Sequence, residues 1–182
     1  MKLYLVRHAI AYDHGDPAFP NDDDRTLTPR GARRFRQAAA GLLEVAPPPA
    51  VILTSPLPRA AQTAAILQET IGNATRTVVC EALRPGGAFD AVLRSVSEQV
   101  DASGPVDEAA NPALHRGVAL VGHQPSLGLL GAWLLQGDDA RFMLALKKGG
   151  VALLSFDGLP APGQGELAWL LPPRILRALA AS

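Results

Sequence analysis

The 182-residue sequence predicts an α/β fold, a mostly parallel central sheet with helices on both faces. Three observations carry this reading. Short apolar runs at Leu3–Val6, Val51–Thr54 and Val118–Val121 alternate with longer segments of helical periodicity. These runs are apolar throughout, as strands covered on both faces are. Two of them stop abruptly, one at Arg7-His8 and one at His123, where the chain passes beyond a strand end and ligands of such sheets bind.

Taken in order, the first strand is followed by a polar, turn-rich loop from Tyr12 to Arg25. Its run Asn21-Asp22-Asp23-Asp24 reads as a solvated turn, and the spacing matches no standard calcium loop. Thr28-Pro29 announces a helix, with threonine as N-cap and proline at the first helical position. Ala32, Phe35, Ala39, Leu42 and Leu43 form its apolar stripe, whereas Arg30, Arg33, Arg34 and Arg36 lie off it and read as a solvated face. Pro47-Pro48-Pro49 ends the helix before the strand Val51–Thr54.

A second helix starts at Pro58 and runs to about Ile71, with Gly72 as its stop and Arg59 in its first turn. Thr77–Cys80 reads as a third strand, Glu81–Gly87 as a loop and Phe89–Val100 as a helix. Residues 101–116 mix Ser, Gly, Pro, Asn and acids without periodicity and read as a surface insertion. Then come a strand at Val118–Gly122, an apolar helix at Ser126–Leu135, strands near the sheet edge at Val151–Phe156 and Leu167–Leu171, and a last helix at Pro173–Leu179.

Composition bounds the function. The length fits one domain spanning 1–182. The 17 basic and 17 acidic residues balance, so charge gives no reason to expect nucleic acid or a membrane as partner. Cys80 is the single cysteine, which excludes an intrachain disulfide and reads as a small buried residue in a reducing, cytoplasmic setting. Arg7 and His8 interrupt the first apolar stretch before a signal peptide can form. The apolar run Leu127–Leu135 falls short of the ~20 residues a bilayer span needs. A soluble cytoplasmic protein is the expectation, with nothing to fix its oligomeric state.

In a parallel sheet the ends carrying Arg7-His8, Arg59 and His123 point the same way, so these side chains can meet in one crevice. Two arginines and two histidines without a carboxylate set describe an anion pocket better than a zinc site, because the guanidinium groups repel a cation. No metal and no cofactor are therefore expected. The sequence contains no Gly-x-x-x-x-Gly-Lys-Ser/Thr loop, no Gly-x-Gly-x-x-Gly after a strand and no Gly-x-Ser-x-Gly. Nucleotide binding and serine hydrolysis thus have no motif behind them.

Four ordered segments carry a resemblance: Leu5-Val6-Arg7-His8-Ala9, Leu27-Thr28-Pro29-Arg30-Gly31, Ser55-Pro56-Leu57-Pro58-Arg59-Ala60-Ala61-Gln62-Thr63-Ala64 and Val121-Gly122-His123-Gln124-Pro125. Together they resemble the motifs of the histidine phosphatase superfamily, with its phosphoglycerate-mutase-like fold, and within it the SixA-type phosphohistidine phosphatases. The resemblance implies a metal-independent hydrolase in which His8 attacks phosphorus to give a phosphohistidine intermediate. Arg7 and Arg59 then clamp the phosphoryl oxygens and His123 donates a further hydrogen bond to them. Glu81, in the loop after the third strand, stands where many members carry a general acid, although pairing with Arg84 is its plain structural role. Ala9 departs from the glycine usual at the end of the first motif, and excludes only backbone conformations that need glycine. Thr28 and Gly31 read as helix cap and close-packing residue, and a helical turn places Gln62 and Thr63 near Arg59. The implied substrate is a protein-borne phosphohistidine or a small phosphomonoester. The alternatives are a mutase-like phosphoryl transferase and a phosphate-binding module without turnover.

Overall fold

In the computed structural model, residues 1–72, 75–102 and 117–181 are described. Eleven regular elements alternate along them. In chain order they are β1 (Lys2–Arg7), α1 (Pro29–Leu43), β2 (Val51–Thr54), α2 (Pro58–Ile71), β3 (Arg76–Val79), α3 (Phe89–Ala102), β4 (Gly117–Gly122), α4 (Ser126–Gln136), β5 (Val151–Ser155), β6 (Glu166–Leu171) and α5 (Pro173–Leu179). Short 3-10 turns occupy Asp22–Asp24, Glu81–Leu83 and Gly137–Asp139. No helix among the described residues is long and apolar enough to cross a membrane.

The strands form one six-stranded sheet in the order β3-β2-β4-β1-β5-β6. β3, β2, β4 and β1 pair in parallel, whereas β5 runs antiparallel to β1, and β6 antiparallel to β5. The sheet is therefore mixed, an α/β arrangement with a parallel majority. Strand alternation divides the core between the two faces. Tyr4, Val6, Ile52, Ala119 and Val121 pack under α1, α2 and α5, while Leu3, Leu5, Leu53, Val118 and Leu120 pack under α3 and α4. The buried Tyr4 hydroxyl donates to the Pro47 carbonyl at 2.6 Å, which satisfies its polar end inside the core.

Local chemistry explains the element ends. The Thr28 hydroxyl accepts from the Gly31 amide at 2.9 Å, satisfying one of the donors left free at the start of α1. Gly31 itself abuts the carbonyl of Ile10, and a Cβ there would collide with that oxygen. The glycine is what lets the first turn of α1 sit directly against the loop leaving β1. α2 starts on Pro58 and ends at Gly72, whose φ of 104° lies in the region that side chains disfavour.

Several element boundaries differ from expectation by one or two residues. β3 covers Arg76–Val79, one residue earlier than Thr77–Cys80; it is an exposed edge strand, where apolar pattern marks limits poorly. Asp101 and Ala102, expected in an insertion at 101–116, complete the last turn of α3; residues 103–116 lie outside the described ones. β5 and β6 lie near one sheet edge as expected, β6 forming the edge itself.

Candidate active site

β1 and β4 are neighbours in the sheet, yet the helices that follow them pack on opposite faces, α1 on one and α4 on the other. The loops leaving the two strands therefore diverge and open a crevice at their carboxyl ends, where ligands of such sheets bind. His8 follows β1 and His123 follows β4. The ladder continues past both strands: the His8 amide donates to the Gly122 carbonyl at 3.0 Å, and the Ser55 amide, just beyond β2, donates to Val121 at 2.9 Å. Three adjacent strand ends thus present Ser55, His123 and His8 side by side. The two imidazole rings lie 5.2 Å apart, centre to centre, tilted by 53°.

Each ring has one nitrogen committed. His8 Nδ1 is 2.7 Å from the carbonyl oxygen of Ala9. A carbonyl only accepts, so Nδ1 carries the proton and Nε2 keeps its lone pair. His123 Nε2 lies 2.9 Å from the Ser55 hydroxyl, which leaves Nδ1 as the uncommitted nitrogen of that ring. Both rings are buried, with 6% and 3% of their surface exposed. Burial is the main cause that lowers His8 to about 4, with the charges of Arg59, Arg7 and Lys148 adding to it against the opposing hydrogen bond to Ala9. His123 falls to about 3, again chiefly through burial, and then through His8, Arg59, Arg25 and Arg7. Both imidazoles are neutral at pH 7.

The arginines are fixed by backbone oxygens. Arg7 Nη1 donates to Leu146 at 2.8 Å. Arg59 enters from the start of α2 and is 4% exposed; its Nη1 donates to the carbonyl of Asp22 at 2.8 Å and its Nη2 to the Asp22 carboxylate at 3.4 Å. In each guanidinium the Nε donor is buried and without a hydrogen-bond partner among the described residues. Unsatisfied charged donors held among neutral imidazoles are what an anion with several acceptor oxygens would satisfy.

Two residues outside the expected set complete this arrangement. The run Asn21–Asp24 is a 3-10 turn, but Asp22 is not a merely solvated residue of it. Asp22 also accepts from Arg25 Nε at 2.7 Å and from His14 Nδ1 at 2.5 Å. Hydrogen bonds from Arg25 and His14 are the main causes that hold its carboxyl far below the ordinary range. Ser55 is the second; its pairing with His123 becomes visible only once β2 and β4 lie side by side. A serine closing a strand four residues before an arginine gives no such signal by itself.

The remaining expectations resolve as follows. Neither Gln62 nor Thr63 touches the Arg59 guanidinium. Gln62 Oε1 accepts from the Leu27 amide at 2.7 Å, and the Thr63 hydroxyl accepts from the Ala9 amide at 3.0 Å while donating to the Arg59 carbonyl at 2.7 Å. Thr63 thereby ties the His8 loop to the arginine's helix. Glu81 is exposed and pairs with Arg84 Nε at 2.9 Å, and Arg84 reaches Asp23 at 3.3 Å. The 3-10 turn after β3 is thus linked to the one that holds Arg59. Cys80 is buried, as expected of a small core residue.

An α/β sheet thus ends in paired neutral imidazoles and fixed guanidinium groups, a donor set that suits an oxyanion. Residues 3–90 match the histidine phosphatase superfamily (branch 1). An uncharacterized protein of a Picosynechococcus species is 37% identical over 97% of this chain and 99% of its own length. The chain belongs to the histidine phosphatase superfamily, and its fold is similar to that of SixA. The structure of the protein histidine phosphatase SixA complexed with tungstate superposes with a TM-score of 0.72, at 22% identity, over 97% of this chain and 99% of that one. A mycobacterial glucosyl-3-phosphoglycerate phosphatase superposes with a TM-score of 0.66, at 21% identity, over 92% of this chain and 96% of that one.

Proposed function

We propose that this chain is a phosphohistidine phosphatase that works without a metal, through a covalent intermediate on His8. The observation that carries the proposal is the hydrogen bond from His8 Nδ1 to the Ala9 carbonyl, which directs the Nε2 lone pair away from its own loop. In the first step Nε2 attacks phosphorus, a new N–P bond forms, and the bond to the leaving nitrogen breaks with its electron pair going to that atom. In the second step water attacks phosphorus, the N–P bond breaks, and phosphate leaves with His8 restored. Arg7, Arg59 and His123 hold the phosphoryl oxygens throughout, supplying fixed donors where charge develops.

A leaving imidazole departs far more readily than an alkoxide. That chemistry suits a site in which Glu81 is exposed and engaged by Arg84. One more consideration supports the reading, and one favours an alternative. The related SixA structure holds tungstate, a tetrahedral oxyanion like the transferred group. The matched mycobacterial phosphatase is named for a small phosphorylated substrate instead, and a small phosphomonoester is accordingly the second reading.

The test is rapid labelling with a radioactive phosphoryl donor, followed by release of phosphate. The wild-type chain should form an acid-labile phosphoenzyme on His8 and release phosphate from phosphohistidine faster than from alkyl phosphates. His8→Ala should do neither. Label that passes to another hydroxyl instead of to water points to a mutase-like transferase, and binding of phosphate with no label points to a non-catalytic module.

A further inference from the structure

Arg34, expected on a solvated face, instead borders a cavity of about 50 Å³ between the N-terminal half of α1, helix α5 and the loop entering β5. Ala9, Phe35 and Gly149 give it an apolar floor, and Arg34, Lys148 and Arg177 surround it. All three cations are half-buried, and none has an acidic partner or a hydrogen bond among the described residues. Cations held together in a partly dry place repel one another unless an anion joins them. Arg177 shows this strain: burial lowers it first, and the charge of Arg34 lowers it further.

The backbones that carry these cations are closely packed. At Gly41 the backbones of α1 and α5 meet so closely that a Cβ would collide with the Leu176 carbonyl, which fixes the helix that carries Arg34 against the one that carries Arg177. Lys148 is held by the turn behind it, where the Gly149 amide donates to the carbonyls of both Arg7 and His8. The cavity is also close to the candidate active site. Ala9, which follows His8 directly, forms part of its wall, and the Lys148 charge is near enough to bear on the His8 ring. A cavity of this size admits one small group and not a whole substrate.

We infer that Arg34, Lys148 and Arg177 form an anion subsite beside His8 that takes a second carboxylate or phosphate carried by the phosphorylated substrate. This rests on the phosphatase reading of His8 and narrows it: the substrate is a phosphoryl compound with a second negative group a few bonds from phosphorus. On a protein substrate that group is an acidic side chain near the phosphohistidine; on a small one it is a carboxylate or second phosphate.

The experiment measures binding by calorimetry on the full chain, using non-hydrolysable ω-phosphonocarboxylates with two to five methylenes and alkylphosphonates of matching length. At least one phosphonocarboxylate should bind about tenfold more tightly than its partner. That preference should fall below threefold in R34M/R177M, while plain alkylphosphonates bind as before. Single variants R34M and R177M, checked for native circular dichroism, should each lose part of it and stand in if the double variant does not fold. A preference below threefold at every chain length, or one that survives in the variants, overturns the subsite and leaves the phosphatase reading intact. Failure of both series to bind overturns the phosphate pocket at His8 and the subsite with it. Matched phosphohistidine peptides with an aspartate or an asparagine beside the modified residue then separate the sources: faster hydrolysis of the aspartate peptide, lost in R34M/R177M, identifies the protein substrate.

Discussion

Asp22 holds Arg59 by two different atoms, its backbone carbonyl at 2.8 Å and its carboxylate at 3.4 Å, across 37 residues of sequence. The guanidinium is thereby positioned from the side opposite its unpartnered Nε. The carboxylate contact is the longer of the two and is shared with Arg25 and His14.

Asp22→Ala removes the carboxylate and keeps the carbonyl, so Arg59 is loosened but not released. Steady-state kinetics on a phosphoryl substrate should show kcat/KM lowered about tenfold, against roughly a hundredfold or more for Arg59→Ala, which deletes a donor to the transferred group. Equal losses in the two variants, or none in Asp22→Ala, would show that the aspartate does not position the arginine.

Acid sensitivity follows from the two buried imidazoles. Folding holds His8 at about 4 and His123 at about 3, against about 6.5 in an unfolded chain. Below pH 6.5 the unfolded state binds protons that the folded state refuses. Stability should therefore be full above pH 6.5 and fall as pH drops from there toward 4 and 3, with a slope of about 1.4 kcal/mol per pH unit for each imidazole. Urea unfolding at pH 7, 5.5 and 4.5 measures this, and a His8→Asn, His123→Asn variant should flatten the curve. The acid limb of kcat/KM should lie near pH 4 instead of near 6.5, because Nε2 of His8 stays unprotonated until then.

Much of the fold is legible in the sequence because its markers are local. Thr28-Pro29 caps a helix wherever it sits, and Pro58 and Gly72 bracket α2 as their backbone preferences require. His8, Arg59 and His123 are legible for a related reason, since each stands at or just past a strand end. Asp22 and Ser55 are not. Their partners lie 37 and 68 residues away, and both sit in segments whose composition reads as an ordinary turn. Strand direction is equally silent: hydropathy finds β5 but carries no sign for its antiparallel run beside β1. The solvated reading of Arg34 fails because a position off the stripe of α1 still faces a neighbour when α5 packs beside it.

Thr63 makes two buried hydrogen bonds from one hydroxyl, accepting from the Ala9 amide and donating to the Arg59 carbonyl. Thr63→Val keeps the shape and leaves the Ala9 amide without a partner. Urea unfolding should show a loss of about 1–3 kcal/mol, accompanied by weaker phosphate binding because the His8 loop is no longer tied to α2. Unchanged stability would mean that the amide finds another acceptor.

Glu81 is paired with Arg84 at 2.9 Å and lies in the turn after β3. If it supplies a proton to poor leaving groups, Glu81→Gln should slow alkyl phosphate hydrolysis about a hundredfold and phosphohistidine hydrolysis far less, since imidazole leaves without that help. Equal losses on both substrates would assign Glu81 to the Arg84–Asp23 linkage alone.

The acceptor that orients the His8 ring is a peptide oxygen. Had a carboxylate side chain done the same work, one nucleotide change could erase it and let the ring adopt the other tautomer. Replacing Ala9 changes the size of what lies beside the ring, but the oxygen at that position is common to all twenty amino acids. The orientation of the His8 ring is thus protected against point substitution at the residue that provides the oxygen, and it is lost only with the histidine itself or with the course of the chain through the loop.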